Sequence, residues 1–149
     1  MNIKEFLAPT DVLADFAVPG KAPLLQGLAQ RASSSLKLPA ELISSSLLKR
    51  EELGSTGTGG GIAIPHARIP GLDKPFGILV RLRQPIDFDA IDGRPVDLLF
   101  LLLLPVASNK EQLSALASVA RILRTPESVR SLRHARNGAD LFRVMATLA

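Results

Sequence analysis

Residues 96–104 read VDLLFLLLL and hold the longest unbroken apolar run of the chain, the seven residues from Leu98 to Leu104. A bilayer span needs roughly 20 apolar residues, so this run is not a membrane segment. Continuous apolarity over a strand's length marks a central strand covered on both faces. The rest of the chain must therefore supply a layer on either side. With 149 residues, 46% of them apolar and 21% charged, it is large enough to do so as one globular domain over 1–149.

The flanking patterns name those layers. Residues 21–37 place Leu24, Leu25, Leu28 and Ala32 at helical spacing. Pro39 suits the first turn of a second helix ending near Leu53, with Leu42, Ile43, Ser46 and Leu47 on one face. Residues 54–61 form a glycine-rich loop, residues 62–64 a short strand stopped by Pro65, and residues 68–75 a turn around Pro70-Gly71. Residues 77–83 alternate Ile78, Val80 and Leu82 with Leu79, Arg81 and Arg83, a strand with one buried and one partly wet face. Residues 86–88 can extend it, and Asp92-Gly93 marks a tight turn. Ser108 and Glu111 make a capping box for a helix to about Arg124, striped by Leu113, Leu116, Ala117, Ala120 and Leu123. Thr125-Pro126 starts another helix, and Asn137-Gly138 precedes a last one carrying Leu141, Val144, Met145 and Leu148. Two helices, several strands, then more helices predict an α/β sandwich: a mixed β-sheet flanked by α-helices.

The chemistry concentrates in residues 54–66, GSTGTGGGIAIPH, with glycines at 54, 57, 59, 60 and 61 and one of the two histidines at the end. Exposed N–H groups of such a loop can form an anion-binding concavity. A nucleotide P-loop is excluded, because Gly61 is followed by Ile62 and no lysine lies in the loop. The dinucleotide fingerprint fails because Ile62 and Ile64 stand where its third glycine is needed. The candidate centre is His66. A neutral imidazole is a competent nucleophile near physiological pH, and Pro65 restricts the backbone beside it. If His66 attacks a phosphoryl group, charge spreads over three equatorial oxygens. The loop N–H groups, Gly57 among them, and the hydroxyls of Ser55, Thr56 and Thr58 could stabilise that charge, with Arg50 the nearest arginine and Arg68 the second. A hydrolase built on Ser55 and His66 finds no nucleophile elbow in this sequence.

Cysteine is absent, which excludes disulfides and thiolate chemistry. The first residues lack an apolar signal-peptide region, so a soluble cytoplasmic protein is expected. The net charge of +4 comes entirely from residues 110–149, through Arg121, Arg124, Arg130, Arg133, Arg136 and Arg143. This is read as solvated helix faces. A nucleic-acid surface is the alternative, but Tyr and Trp, which would stack bases, are missing.

The stretch Arg50-Glu51-Glu52-Leu53-Gly54-Ser55-Thr56-Gly57, followed by Gly61-Ile62-Ala63-Ile64-Pro65-His66, closely resembles the enzyme IIA domains of the mannitol/fructose class of the bacterial phosphoenolpyruvate-dependent phosphotransferase system. It is most similar to their nitrogen-regulatory branch, and the resemblance covers nearly the whole chain. It implies a phosphohistidine at Nε2 of His66, a donor of the HPr/NPr phosphocarrier type, Arg50 as active-site arginine, and neither metal nor organic cofactor. It also implies a regulatory output through partners such as potassium-transport components or sensor kinases. Docking of the carrier is expected around the loop, on Ile69 and Leu72. One departure stands out: the family's usual second histidine aligns with Gln112. Glutamine can donate an N–H to a phosphoryl oxygen but cannot carry the charge, which fits a regulatory switch better than a fast relay. A partner-binding module that is never phosphorylated, or a sugar-uptake IIA component, remains the alternative.

Overall fold

The apolar run becomes β6 (Val96–Pro105), in which every residue but Asp97 is buried. The computed structural model describes residues 2–107 and 110–148. On one side β6 pairs antiparallel with β5 (Phe76–Ile86), which in turn pairs parallel with β1 (Val12–Phe16). On the other side β6 carries two short parallel partners end to end, β3 (Ile62–Ala63) and β4 (His66–Ile69). β2 (Gly57–Gly59) closes that side, antiparallel to β3. The sheet is therefore mixed, in the order β1-β5-β6-β3-β2 with β4 also on β6.

Successive side chains of a strand point to opposite faces, and β6 divides accordingly. Leu98, Phe100, Leu102 and Leu104 enter one core with α3 (Lys110–Arg124), α4 (Pro126–Arg133) and α5 (Gly138–Leu148). Leu99, Leu101 and Leu103 enter the other, with Leu24, Leu25, Leu28, Ile43 and Leu47 of α1 (Lys21–Leu36) and α2 (Ala40–Glu52). The α/β sandwich expected from the sequence is the fold. No helix among the described residues is long and apolar enough to cross a membrane.

Several local expectations change. β1 carries no clear signal in VLADF, whose Asp15 has a φ of 56°. Pro39 is the N-cap of α2 rather than a residue of its first turn. Arg68 and Ile69 lie in β4, opposite Leu104 and Pro105, rather than in the following turn. Part of the glycine loop is β2. Helix α3 buries Ala115, Val119, Ile122 and Leu123, whereas Leu113 is 60% exposed. Both lines of residues have helical spacing, and packing selects the one that turns Leu113 outward. Ser108 lies outside the described residues, so its capping box is not described. Thr125 precedes α4 as expected, but its hydroxyl donates to the Arg121 carbonyl instead of capping.

Arg81, expected on the wet face of β5, is buried. Its Nη1 donates to the carbonyls of Leu132 at 3.1 Å, Arg133 at 3.3 Å and Ala135 at 2.5 Å. Carbonyls at a helix C-terminus have no partner within the helix, and this guanidinium supplies one from the sheet. Arg81→Met should destabilise the fold by about 2–4 kcal/mol, because it leaves buried acceptors without a charged donor. Urea denaturation measures this, and an unchanged midpoint would contradict the capping role.

Candidate functional site

The site begins where Pro65 interrupts the edge of the sheet. Proline has no N–H to give to a ladder, so the chain leaves β3 and rejoins β6 as β4. Through the break, the Ile64 N–H donates to the Thr56 carbonyl at 3.0 Å and the Pro65 carbonyl accepts from Leu102 N–H at 2.9 Å. The Ile64 carbonyl lies 2.8 Å from Nδ1 of His66. A carbonyl can only accept, so Nδ1 carries the proton and donates. In the neutral ring Nε2 is then the nitrogen with the lone pair. No protein group among the described residues bonds Nε2.

His66 is half-buried and lines a cleft of about 500 Å³ between the end of α2, β4 and the start of α3. Lys49 and Arg50, in the last turn of α2, line it as well. Arg68 reaches it from β4 two residues beyond His66, the spacing that puts both side chains on one face. Gln112 closes the α3 side and is 1% exposed. Arg50 Nη1 donates to the Gly54 carbonyl at 2.8 Å. Arg68 Nη1 donates to Gln112 Oε1 at 2.6 Å and to the Pro105 carbonyl at 3.2 Å. Gln112 Nε2 donates to the Ala107 carbonyl. Three cationic side chains thus share the cleft with one imidazole, and no carboxylate lines it among the described residues. Such a site concentrates anions beside a nucleophilic nitrogen.

His66, Arg50, Arg68 and Gln112 are therefore brought together. Ser55, Thr56 and Gly57 are not among the residues lining the cleft. The Ser55 hydroxyl donates to the Phe88 carbonyl at 2.8 Å. The Thr56 N–H donates to Glu51 Oε1 at 3.1 Å, and its hydroxyl donates to Glu51 Oε2. The Gly57 N–H donates to Ser55 Oγ at 3.0 Å, and a Cβ on Gly57 would sit 2.9 Å from that of Ala90. The Gly60 N–H donates to Asp92 Oδ2 at 2.9 Å; this bond and another from Arg94 N–H hold the Asp92 carboxyl below its ordinary range. The glycines serve the β2–β3 hairpin, where Gly60 and Gly61 have φ of 68° and 83°.

The docking residues also need correction. Ile69 is 0% exposed because β4 packs it into the α1–α2 core, and Leu72 is half-buried against the same core. The apolar rim of the cleft is instead Leu53, 85% exposed, and Leu113. A leucine left over at a helix end, just before Gly54, was the available signal for Leu53.

A polar relay behind the site had no sequence signal. Lys21 Nζ pairs with Glu51 Oε1 at 2.9 Å and sits 4.5 Å from the Phe88 ring centre. Glu51 holds Thr56, Thr56 accepts from Ile64, and Ile64 accepts from His66. Glu51→Gln should cost about 1–3 kcal/mol, because Lys21 keeps only the exposed Asp89 at 3.7 Å and the Phe88 carbonyl as partners. It should also speed solvent exchange of the His66 Nδ1 proton. Unchanged thermal stability and exchange would show that the relay does not support the ring.

Residues 5–147 match the family described as phosphoenolpyruvate-dependent sugar phosphotransferase system, EIIA 2. The chain is 41% identical to the nitrogen regulatory protein of Bradyrhizobium diazoefficiens over 146 residues, which covers 98% of this chain and 95% of that one. It is 37% identical to the nitrogen regulatory protein of Pseudomonas aeruginosa, covering 97% and 95%. The structure superposes on the nitrogen regulatory protein IIA-Ntr from Neisseria meningitidis with a TM-score of 0.90 and 32% identity, covering 96% of this chain and 98% of that one. The mannitol IIA of Escherichia coli shares the fold, with a TM-score of 0.73 at 15% identity, covering 93% and 97%. The chain belongs to the EIIA 2 family of the phosphotransferase system, in its nitrogen-regulatory branch.

Proposed function

We propose that this protein accepts a phosphoryl group on Nε2 of His66 from a histidine-phosphorylated carrier of the HPr/NPr type, and that its phosphorylation state controls regulatory partners. The contact between Ile64 and Nδ1 carries this reading, because it leaves Nε2 as the nucleophilic nitrogen in a cationic cleft. Nε2 forms the bond to phosphorus as the bond from phosphorus to the carrier's histidine breaks, and that histidine leaves with the electron pair. Arg50, Lys49 and Arg68 balance the charge on the equatorial oxygens. Gln112 acts mainly through Arg68, which its side-chain oxygen holds in the cleft. Leu53 and Leu113 give the carrier an apolar surface beside the reacting nitrogen.

A phosphoryl group adds about −1.5 to −2 charges by analogy with other phosphorylated side chains. It would cancel much of the positive charge of the cleft and so change which partner surfaces fit. Family resemblance suggests potassium-transport components or sensor kinases as those partners. An uncharged glutamine at position 112 supports a switch over a sugar-uptake relay, since it offers no second titrating group for onward transfer.

Incubation with phosphoenolpyruvate, enzyme I and the carrier should give an acid-labile adduct on His66, which His66→Ala should abolish. Labelling of His66→Ala would show that the site is wrong. Failure of the wild-type protein to label, with partner binding intact, would favour a pure binding module. In the same assay Gln112→His should raise the transfer rate about tenfold or more without moving the label. An unchanged rate would place Gln112 outside the reaction centre.

A further inference from the structure

A second cavity, of about 700 Å³, opens on the same edge of β6. Ile62, on its floor, stands opposite Leu98, and His66 stands opposite Leu102. The two sites are thus separated by four strand residues, about 13 Å. Ile62, Leu123 and Val129 make the floor apolar and belong to the buried core. Above it stand Arg124 from the end of α3, Arg130 from α4, and His134, the C-cap of α4.

The charges of this cavity are not balanced from within. Arg133, which also lines it, is paired with Asp97 through Nε at 3.1 Å and Nη2 at 2.8 Å, and it bonds the Gly60 carbonyl. Arg124 uses only Nε, toward the Ala120 carbonyl. Arg130 and His134 make no side-chain bond among the described residues, and no described carboxylate lines the cavity. Capping does not account for the α4 cations, because Arg81 already serves the carbonyls at that helix end. Two guanidinium groups and an imidazole therefore line a cavity with an apolar floor, and none of the three is paired with a carboxylate among the described residues. Forked guanidinium donors match phosphate oxygens, and the volume is that of a small-ligand pocket.

We propose that this cavity binds a small organic phosphate. Its phosphate groups would lie on Arg124, Arg130 and His134, and its apolar body on Ile62, Leu123 and Val129. The site is separate from His66 and does not depend on phosphoryl transfer there.

The test is a titration of the whole protein with ADP, followed by amide NMR, with adenosine and inorganic pyrophosphate as partial ligands. ADP should shift the amides of Gly59, Gly60, Val129 and His134, and should bind more tightly than either partial ligand. Arg124→Ala/Arg130→Ala should weaken ADP about tenfold or more while leaving phosphorylation of His66 unchanged. These side chains are exposed, so the variant should keep its fold, which its amide spectrum reports. The proposal fails if ADP at about 5 mM shifts nothing, if its shifts fall only around Ala67 and Leu113, or if the double variant binds equally well. It also fails if an acidic peptide binds this face and ADP does not.

Discussion

A single hydrogen bond, from His66 Nδ1–H to the Ile64 carbonyl, sets the chemistry of this site. It exists because Pro65 cannot pair in the ladder, which opens a gap between β3 and β4 along one edge of β6. The carbonyl before the gap turns to the ring after it. A backbone acceptor cannot change its role with pH or conformation, so it selects one ring nitrogen as donor and leaves the lone pair of the neutral ring on the other. The buried β6, the β2–β3 hairpin and the relay from Lys21 through Glu51 and Thr56 all hold that carbonyl in place.

The glycine run and the cations divide the work differently from what the sequence suggests. The run builds a hairpin, and the bonds made by its amides and hydroxyls are internal. Positive charge at His66 comes from long side chains on α2 and β4, carried to the cleft by elements that pack on the α1–α2 face of the sheet. The backbone orients this histidine, since the Ile64 carbonyl fixes its tautomer. Gln112 stands between α3 and β4 with its oxygen on Arg68, so a neutral residue couples the two walls of the cleft.

Much of the architecture was legible because it rests on periodicity. The unbroken apolar run of β6 and the helical stripes of α1 and α2 each admit one burial pattern, whereas the alternation in β5 marked a strand but not its burial on both faces. The motif over residues 50–66 singled out His66 and Arg50, which the structure brings to one cleft. What escaped depends on packing choices that a linear pattern leaves open. Helix α3 has two apolar lines and buries the one that exposes Leu113. Arg81 is polar yet interior, because helix-end carbonyls far along the chain need its donors. Ile69 falls within residues 68–75, which read as a turn around Pro70-Gly71, yet it pairs opposite Pro105 and is buried. Glu51 looks like a surface residue of a helix end until Lys21 and Thr56 are seen to meet on it.

The most direct measurement is a long-range proton–nitrogen NMR correlation of the His66 ring in the unphosphorylated protein, taken above the ordinary imidazole titration range. The account requires a protonated Nδ1 and a bare Nε2. A ring with its proton on Nε2 would leave the Ile64 carbonyl without its donor and the proposed nucleophile blocked, and would contradict it.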